Sequence, residues 1–176
     1  MGVYDPKTGK MNSTKQSKKK PFCDIGQNLN IVARRLMQNE TLLRLLVHTS
    51  KDAETMEITQ QQKEAVFGDQ IKIVPVIDKE EDIKNYIIIQ FGAFSGVEGK
   101  PYKNYVITFD IVCNISNWML KDYTPRPYKI MAEIDEIISD SKIDSLGPVQ
   151  FLAAQNLIIN EELSGFTLSY TVMSER

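Results

Sequence analysis

The sequence predicts an α+β domain, with a mostly antiparallel sheet of about four to five strands and two to three helices packed on one face. Two observations predict this class. Strand-like segments occur in neighbouring pairs, at 85–94 with 104–115 and at 149–160 with 165–173, and such pairs form hairpins. Helical periods precede the first pair and separate it from the second, which is typical of helices segregated to one face of an antiparallel sheet. At 176 residues the chain suits one domain, at 21–176, after an extended basic N-terminal arm at 1–20.

The arm and the body carry opposite charge. The arm holds six lysines and one aspartate, a sum of +5, and its last half lies in the stretch MNSTKQSKKKP. Residues 21–176 hold 15 Lys plus Arg and 22 Asp plus Glu, so 15 − 22 gives −7 for the body and −2 for the chain. Because the arm has almost no large apolar side chain, we expect it to stay outside the core.

Helical patterns come first after the arm. Asp24 or Asn28 is expected to cap a helix that runs to about Met37, and Asn39 to cap a second helix over ETLLRLLVHT. Residues 50–70 are polar with scattered apolar positions. They predict a long loop or a weak helix that ends near Gly68, and a loop of this length often carries an interaction.

The strands begin at IKIVPVI, a short strand that Pro75 assigns to a sheet edge. The segments NYIIIQFGAF and NYVITFDIVCNI then predict a hairpin. In the second of them, apolar side chains alternate from Tyr105 to Ile115, so one face is expected to pack on helices and the other to be half wet.

A helix and a second hairpin complete the predicted fold. The segment RPYKIMAEIDEIIS has Pro127 in its first turn, where the missing N–H costs nothing. Its apolar stripe, expected to pack on the sheet, comprises Ile130, Ile134, Ile137 and Ile138. The segments VQFLAAQNLIIN and GFTLSYTVM are strands joined by a turn at 161–165.

The residues give little support to catalysis or metal binding. His48 is the only histidine and lies at the end of a leucine-rich helix, where a role near the carbonyl dipole is expected. Cys23 and Cys113 lie far apart and predict reduced thiols rather than a disulfide or a zinc site. The glycines at 92–99 lie in a hairpin, which excludes a phosphate loop between a strand and a helix. We therefore expect a protein that is not an enzyme and needs no cofactor or metal.

One acidic stretch allows an alternative. EEDIK, at 80–84, contains an acid-x-Lys unit of the kind found in two-metal nucleases, with Asp78 upstream. Because the unit lies in a polar segment between strands, a solvated loop is the favoured interpretation. No apolar run reaches the roughly 18 residues of a membrane span, and the start lacks the apolar segment of a secretory signal, so we expect synthesis in a cytosol.

The basic arm has three interpretations: a solubilising tail, a nucleic-acid arm, or a segment that docks on the acidic surface of a neighbouring copy. It lacks arginine and tryptophan, and the −7 body would repel phosphate, which disfavours nucleic acid. Charge complementarity favours docking, with apolar anchoring because exposed ion pairs contribute only about 0–1 kcal/mol. Trp118 and Tyr123 either pack under the hairpin or contact a partner. The expected interface residues are Tyr4, Lys15, Lys18, Lys19, Lys20, Phe22, Trp118, Tyr123 and Arg126.

The order of elements resembles the tail-terminator, or tail-completion, proteins of tailed bacteriophages. A leading helix is followed by NYIIIQFGAFSG and NYVITFDIVCNISNW, by the helix RPYKIMAEIDEII, and by LGPVQFLAAQNLIINEELSGFTLSYTV. The resemblance covers roughly residues 25–173 and rests most on the R-P-Y helix start and the final SGFTLSYTV strand. It implies an α+β subunit without catalytic residues, and the matching candidates for its contact surfaces are 1–20, 50–70, 95–103 and 117–126. The Lys-rich arm is additional to the family layout.

The resemblance also implies a function. Such subunits form a ring, typically a hexamer, at the neck of the virion, where it caps the tail tube and joins it to the head connector. The implied partners are copies of the chain, the tail tube protein and neck proteins, while DNA passes through the channel without specific binding. A virion location after assembly in the host cytoplasm follows, with no membrane contact. The alternatives are a head-closure or other connector protein and, in a different class, a small DNA-binding or DNA-processing accessory protein that uses the arm and EEDIK.

Overall fold

The computed structural model describes residues 3–4, 11–12, 21–74, 84–96, 102–139 and 148–175. In this part of the chain there are four α-helices and seven strands, together with two short 3-10 helices. In chain order they are β1 (Val3–Tyr4), β2 (Met11–Asn12), α1 (Pro21–Leu36), α2 (Glu40–Val47), a 3-10 helix (Ala53–Thr55), α3 (Gln60–Asp69), β3 (Ile71–Lys72), β4 (Tyr86–Gly96), β5 (Tyr102–Asn114), a 3-10 helix (Ile115–Asn117), α4 (Arg126–Ser139), β6 (Val149–Ile158) and β7 (Leu163–Glu175).

Five of the strands form one sheet in the order β3-β4-β5-β7-β6. The pairs β4–β5, β5–β7 and β6–β7 are antiparallel, so the predicted α+β class and both predicted hairpins are confirmed. The edge strand β3 is the exception, because it pairs parallel with β4. Thirteen residues separate β3 from β4, and a connection of this length does not force β3 to run antiparallel. The short strands β1 and β2 pair with each other in a separate ladder.

The helices follow the local signals, with one difference from prediction. α1 begins at Pro21, before Asp24 and Asn28, since proline is well tolerated in a first helical turn. The Asn39 cap is confirmed, as its side chain accepts a hydrogen bond of 2.9 Å from the Leu42 N–H. For the segment 50–70 the weak-helix interpretation is confirmed, because α3 ends at Asp69, next to Gly68. A capping box between Thr59 and Gln62 stabilises the start of this helix.

The core lies between the sheet and the helices. On β5 the residues predicted for the packed face are buried: Tyr105, Ile107, Phe109, Ile111 and Cys113. From α4, Ile130, Ile134 and Ile138 are buried against them, and Ile137 is partly buried. Ile115 is a correction, because it lies in the 3-10 helix beyond β5 and is half exposed.

The opposite face of β5 is mostly half-buried, as predicted, although Val112 is completely buried. Asp110 lies at its centre and accepts hydrogen bonds from Thr167 (2.6 Å) and Gln90 (3.3 Å). At one point β5 and β7 approach so closely that only glycine fits, since a Cβ on Gly165 would lie 1.9 Å from the Ile111 carbonyl oxygen. None of the helices in the described ranges has both the length and the apolar character of a membrane span.

Candidate assembly surface

Strand β6 forms one edge of the sheet and pairs with β7 on its other side. It is ten residues long, and its sequence, VQFLAAQNLI, contains no charged residue and no proline. Edge strands of stable monomers are usually short, charged, interrupted by proline or covered, because an open edge is a template for pairing with another chain. Apart from one β-bulge, strand β6 lacks these protections, because it is long and contains neither charge nor proline.

The edge also exposes large apolar side chains. Phe151, Leu152 and Ile158 are 53%, 54% and 78% exposed. Leu152 lies at a β-bulge, where the register with β7 shifts between Phe151 and Ala153. The Phe151 ring contacts Tyr170 edge-to-face at 5.7 Å, so it is held against the sheet while half of it faces solvent. An added chain would therefore cover apolar surface as well as the backbone edge.

The backbone of β6 has donors that face away from β7. The Ile159 N–H donates to the Leu163 carbonyl at 3.0 Å. Since successive N–H groups alternate in direction along a strand, those of Ile158, Asn156 and Ala154 face the open edge. These groups and the carbonyls beside them can pair with an extended segment of another chain.

Further apolar residues continue this surface around one end of the sheet. The Ile115 N–H donates to the Glu162 carbonyl at 2.8 Å, which places the 3-10 helix beside the β6–β7 turn. The Tyr128 ring lies 4.9 Å from Phe166, the register partner of Asn156 on β6. Ile115 and Tyr128 are both about half exposed. We call Ile115, Tyr128, Phe151, Leu152 and Ile158 the edge surface.

The chain around the edge surface is acidic. Residues 148–175, which include the whole β6–β7 hairpin, contain three glutamates and no lysine or arginine, so 0 − 3 gives a charge of −3. Asp135 on α4 lies nearby, because it accepts a 2.8 Å hydrogen bond from the Tyr170 hydroxyl. Burial and this carboxylate both raise the pKa of Tyr170, so the phenol stays neutral. An uncharged edge is thus flanked by negative charge.

Trp118 and Tyr123 have different environments. Trp118 is half-buried against the core, and its Nε1–H lies 3.4 Å from the Cys113 carbonyl, which fits the packing interpretation. Tyr123 is 83% exposed at the tip of a turn and has a φ of 62°, which is unusual for a residue other than glycine. Its contact with a partner stays a prediction.

Arg126 requires a correction, because its side chain is completely buried and is not part of the surface of this chain. Its guanidinium donates to four carbonyls, those of Asn117 (2.8 Å), Leu45 (2.7 Å), His48 (2.6 Å) and Ser50 (2.7 Å). It therefore joins the end of α2, the following loop and the start of α4. Burial lowers the pKa of its guanidinium. A cation at the start of a helix is unfavourable next to the positive end of the helix dipole. The position of Arg126 at the start of α4 therefore indicated that its charge makes other contacts, which here are the four carbonyls.

The remaining predicted interface residues lie in or next to the N-terminal arm. Lys15, Lys18, Lys19 and Lys20 lie outside the described residues. The backbones of Tyr4 and Phe22 lie in β1 and α1, and their side chains are outside the description.

The residues that the sequence offered for catalysis or metal binding are His48, Cys113, Asp78 and the stretch EEDIK. Of EEDIK and Asp78, only Lys84 is described, and its Nζ lies 3.1 Å from Asp69. His48 follows α2, with Nε2 3.0 Å from the Glu57 carbonyl. Cys113 is a buried, unpaired thiol, and burial raises its pKa to about 12. Within the described ranges, no group of three His, Cys, Asp or Glu side chains is placed to hold a metal ion.

A comparison with protein families found a family model that matches most of the sheet. The model of the YomW family, a phage-derived family (SPbeta/Bacillus prophage), matches residues 39–172. The match runs from the cap of α2 into β7 and leaves out the basic arm and α1. A search of curated proteins found no match. Because the family model covers more than half of the chain, the chain belongs to the YomW family.

Proposed function

We propose that this chain is a structural virion protein, the tail terminator of a phage neck, whose copies form a ring that caps the tail tube and joins it to the head connector. The observation that carries the proposal is the uncharged, ten-residue edge of β6 with its exposed Phe151, Leu152 and Ile158. Such an edge favours contact with another polypeptide. The phage-derived family supports a phage particle as the setting.

The two edges of the sheet differ, which favours a ring over a simple dimer. One edge is β6, with ten residues, and the other is β3, with two. In a head-to-tail ring each copy uses one surface toward the next copy and a different surface toward the previous copy. A long open edge on one side of the sheet suits one half of such a contact.

The net charge suits a channel for DNA. A −7 body would bind phosphate weakly, so duplex DNA could slide past it. A ring whose lumen is lined with lysines would contradict this part of the proposal.

The test is the assembly state of the full-length protein, measured by native mass spectrometry and negative-stain electron microscopy. We expect closed rings for the wild type. The variant Leu152→Lys/Ile158→Lys changes two exposed positions of the edge surface and should be monomeric with an unchanged fold. The matched control Met56→Lys/Phe67→Lys changes two exposed apolar residues elsewhere and should form rings. A wild type that stays monomeric at high concentration, or an edge variant that forms normal rings, would refute the proposal.

Particles made without the chain separate the alternatives. Loss of a terminator leaves tubes that grow beyond normal length, whereas loss of a head-closure protein leaves tubes of normal length. A monomer with salt-sensitive DNA affinity would favour the DNA accessory class. In that case a metal-dependent nicking assay that compares the wild type with Asp82→Ala would test EEDIK.

A further inference from the structure

We infer that the edge of β6 takes up the N-terminal arm, residues 1–20, of a second copy as an added strand. The inference rests on the proposed function for the ring and goes further by naming the segment that is exchanged and how it binds. Its acceptor is the edge described above, where the N–H groups of Ala154, Asn156 and Ile158 face away from β7.

Charge selects the arm as the occupant. The arm carries +5, and residues 148–175 carry −3 without a single lysine or arginine. Glu161 and Glu162 lie in the turn at one end of the edge, and Asp135 lies near its other half, against Tyr170. Lysines of an added arm would meet these carboxylates. Pairing of β6 with β6 of a second copy would instead bring two hairpins of −3 together.

The composition and length of the arm also suit this contact. It can donate backbone hydrogen bonds along most of its length, because it contains one proline, Pro6. At roughly 3.3 Å per residue, ten residues cover the edge and the other ten, about 33 Å, remain to span the gap between copies. The opposite sheet edge is a weaker acceptor, since β3 has only two residues.

The arm of a second copy suits the edge better than the arm of the same copy. In this structure β1 and β2, the described parts of the arm, pair with each other and not with β6. The arm leads into α1, which packs on β4, and β5 and β7 separate β4 from β6. Donation to the next copy makes each contact heterologous, as a closed ring requires.

Mixing two full-length variants tests the inference. In the arm variant, Lys15, Lys18, Lys19 and Lys20 are each replaced by Glu. The edge variant is Leu152→Lys/Ile158→Lys. Each alone should lose at least about tenfold in assembly affinity. A 1:1 mixture should give heterodimers and no rings, because one variant keeps an intact edge and the other an intact arm.

Two further measurements make the test specific. In wild-type rings, hydrogen exchange at the amides of Ala154, Asn156 and Ile158 should be slow, and in the arm variant it should be fast. Adding Glu161→Lys/Glu162→Lys to the arm variant should restore rings, since the acidic arm then meets a basic β6–β7 turn and the attraction between them returns. Adding the matched control Glu57→Lys/Glu64→Lys should not restore them.

The outcomes separate this inference from the proposed function. Rings formed by the arm variant with protected β6 amides would overturn the inference, because the edge would then pair with something other than the arm, and the terminator proposal would stand. Protection of the same amides in monomers would also overturn it, since the arm would then bind its own chain. A wild type without rings would refute the terminator proposal as well.

Discussion

Replacement of Arg126 by methionine should cause a large loss of stability, although the buried Arg126 side chain is not part of the edge surface. The change keeps most of the side-chain volume and removes all four hydrogen bonds to the carbonyls of residues 45, 48, 50 and 117. The bonds to Leu45 and Asn117 are buried, whereas those to His48 and Ser50 are only partly buried. Water can therefore replace the guanidinium at the second pair but not readily at the first.

The expected magnitude follows from the two buried carbonyls. Leaving a buried acceptor unpaired costs about 1–3 kcal/mol, so two cost about 2–6 kcal/mol. Methionine removes the desolvation penalty of a buried charge, which offsets part of that cost. We expect the free energy of unfolding to fall by about 3 kcal/mol. With a urea m-value of about 1–3 kcal/mol/M, the midpoint should fall by about 1–3 M.

Two controls make the measurement decisive. Arg126→Lys keeps the charge but lacks the planar fork, so it should lose an intermediate amount. Arg35→Met changes an exposed arginine of α1 and should stay within about 0.5 kcal/mol of the wild type. If Arg126→Met also unfolds within 0.5 kcal/mol of the wild type, the carbonyl cluster is not a source of stability and our account of Arg126 fails.

Three other predictions concern single residues of the sheet. Gly165→Ala should destabilise the fold by about 1–3 kcal/mol or more in urea unfolding, because its Cβ would meet the Ile111 carbonyl. Gly26→Ala, with open space around it in α1, should be neutral or stabilising by up to about 1 kcal/mol. If Gly165→Ala and Gly26→Ala changed the stability equally, the close approach of β5 and β7 at Gly165 would be refuted. In a Cys23→Ser variant, Cys113 should not react with a thiol reagent at pH 8 until the protein unfolds, and rapid native reaction would contradict its burial. Burial raises the pKa of Cys113 and Tyr170 above their ordinary values of 9.0 and 10.0. Both residues therefore contribute stability that is fully present below those values and is lost as the pH rises further. Tyr170→Phe should flatten that alkaline decline, and an unchanged slope would contradict it.

Local signals predicted most of the fold. Alternation from Tyr105 to Cys113 gave the buried face of β5, and the period of Ile130, Ile134 and Ile138 gave the packed face of α4. The parallel direction of β3 was not predictable, since a strand of two residues has no pattern that favours either direction. The weak apolar pattern of 50–70 left both a loop and a weak helix open, and the structure has the helix, with a capping box of Thr59 and Gln62 at its start.

The candidate site was harder to predict, because its properties depend on residues distant in sequence. Arg126 was expected at an interface, yet its hydrogen bonds reach carbonyls as far as 81 positions away, and no local pattern reports such contacts. Strand β6 was predicted as a strand, but its position at the edge follows from β7 pairing between it and β5. Only that order reveals that the uncharged segment is open.

An arm and an open edge in one chain have a consequence for the size of the assembly. If the inferred arm exchange holds, each copy supplies one donor arm and one acceptor edge. An open row of copies would then always leave one edge bare and one arm unpaired. Closing the row adds one contact without adding a copy, which favours complete rings over partial ones. On dilution, native mass spectra should therefore show monomers and complete rings with few intermediates. A continuous series of sizes would show that the row does not close, and a filament rather than a cap would then be the natural product.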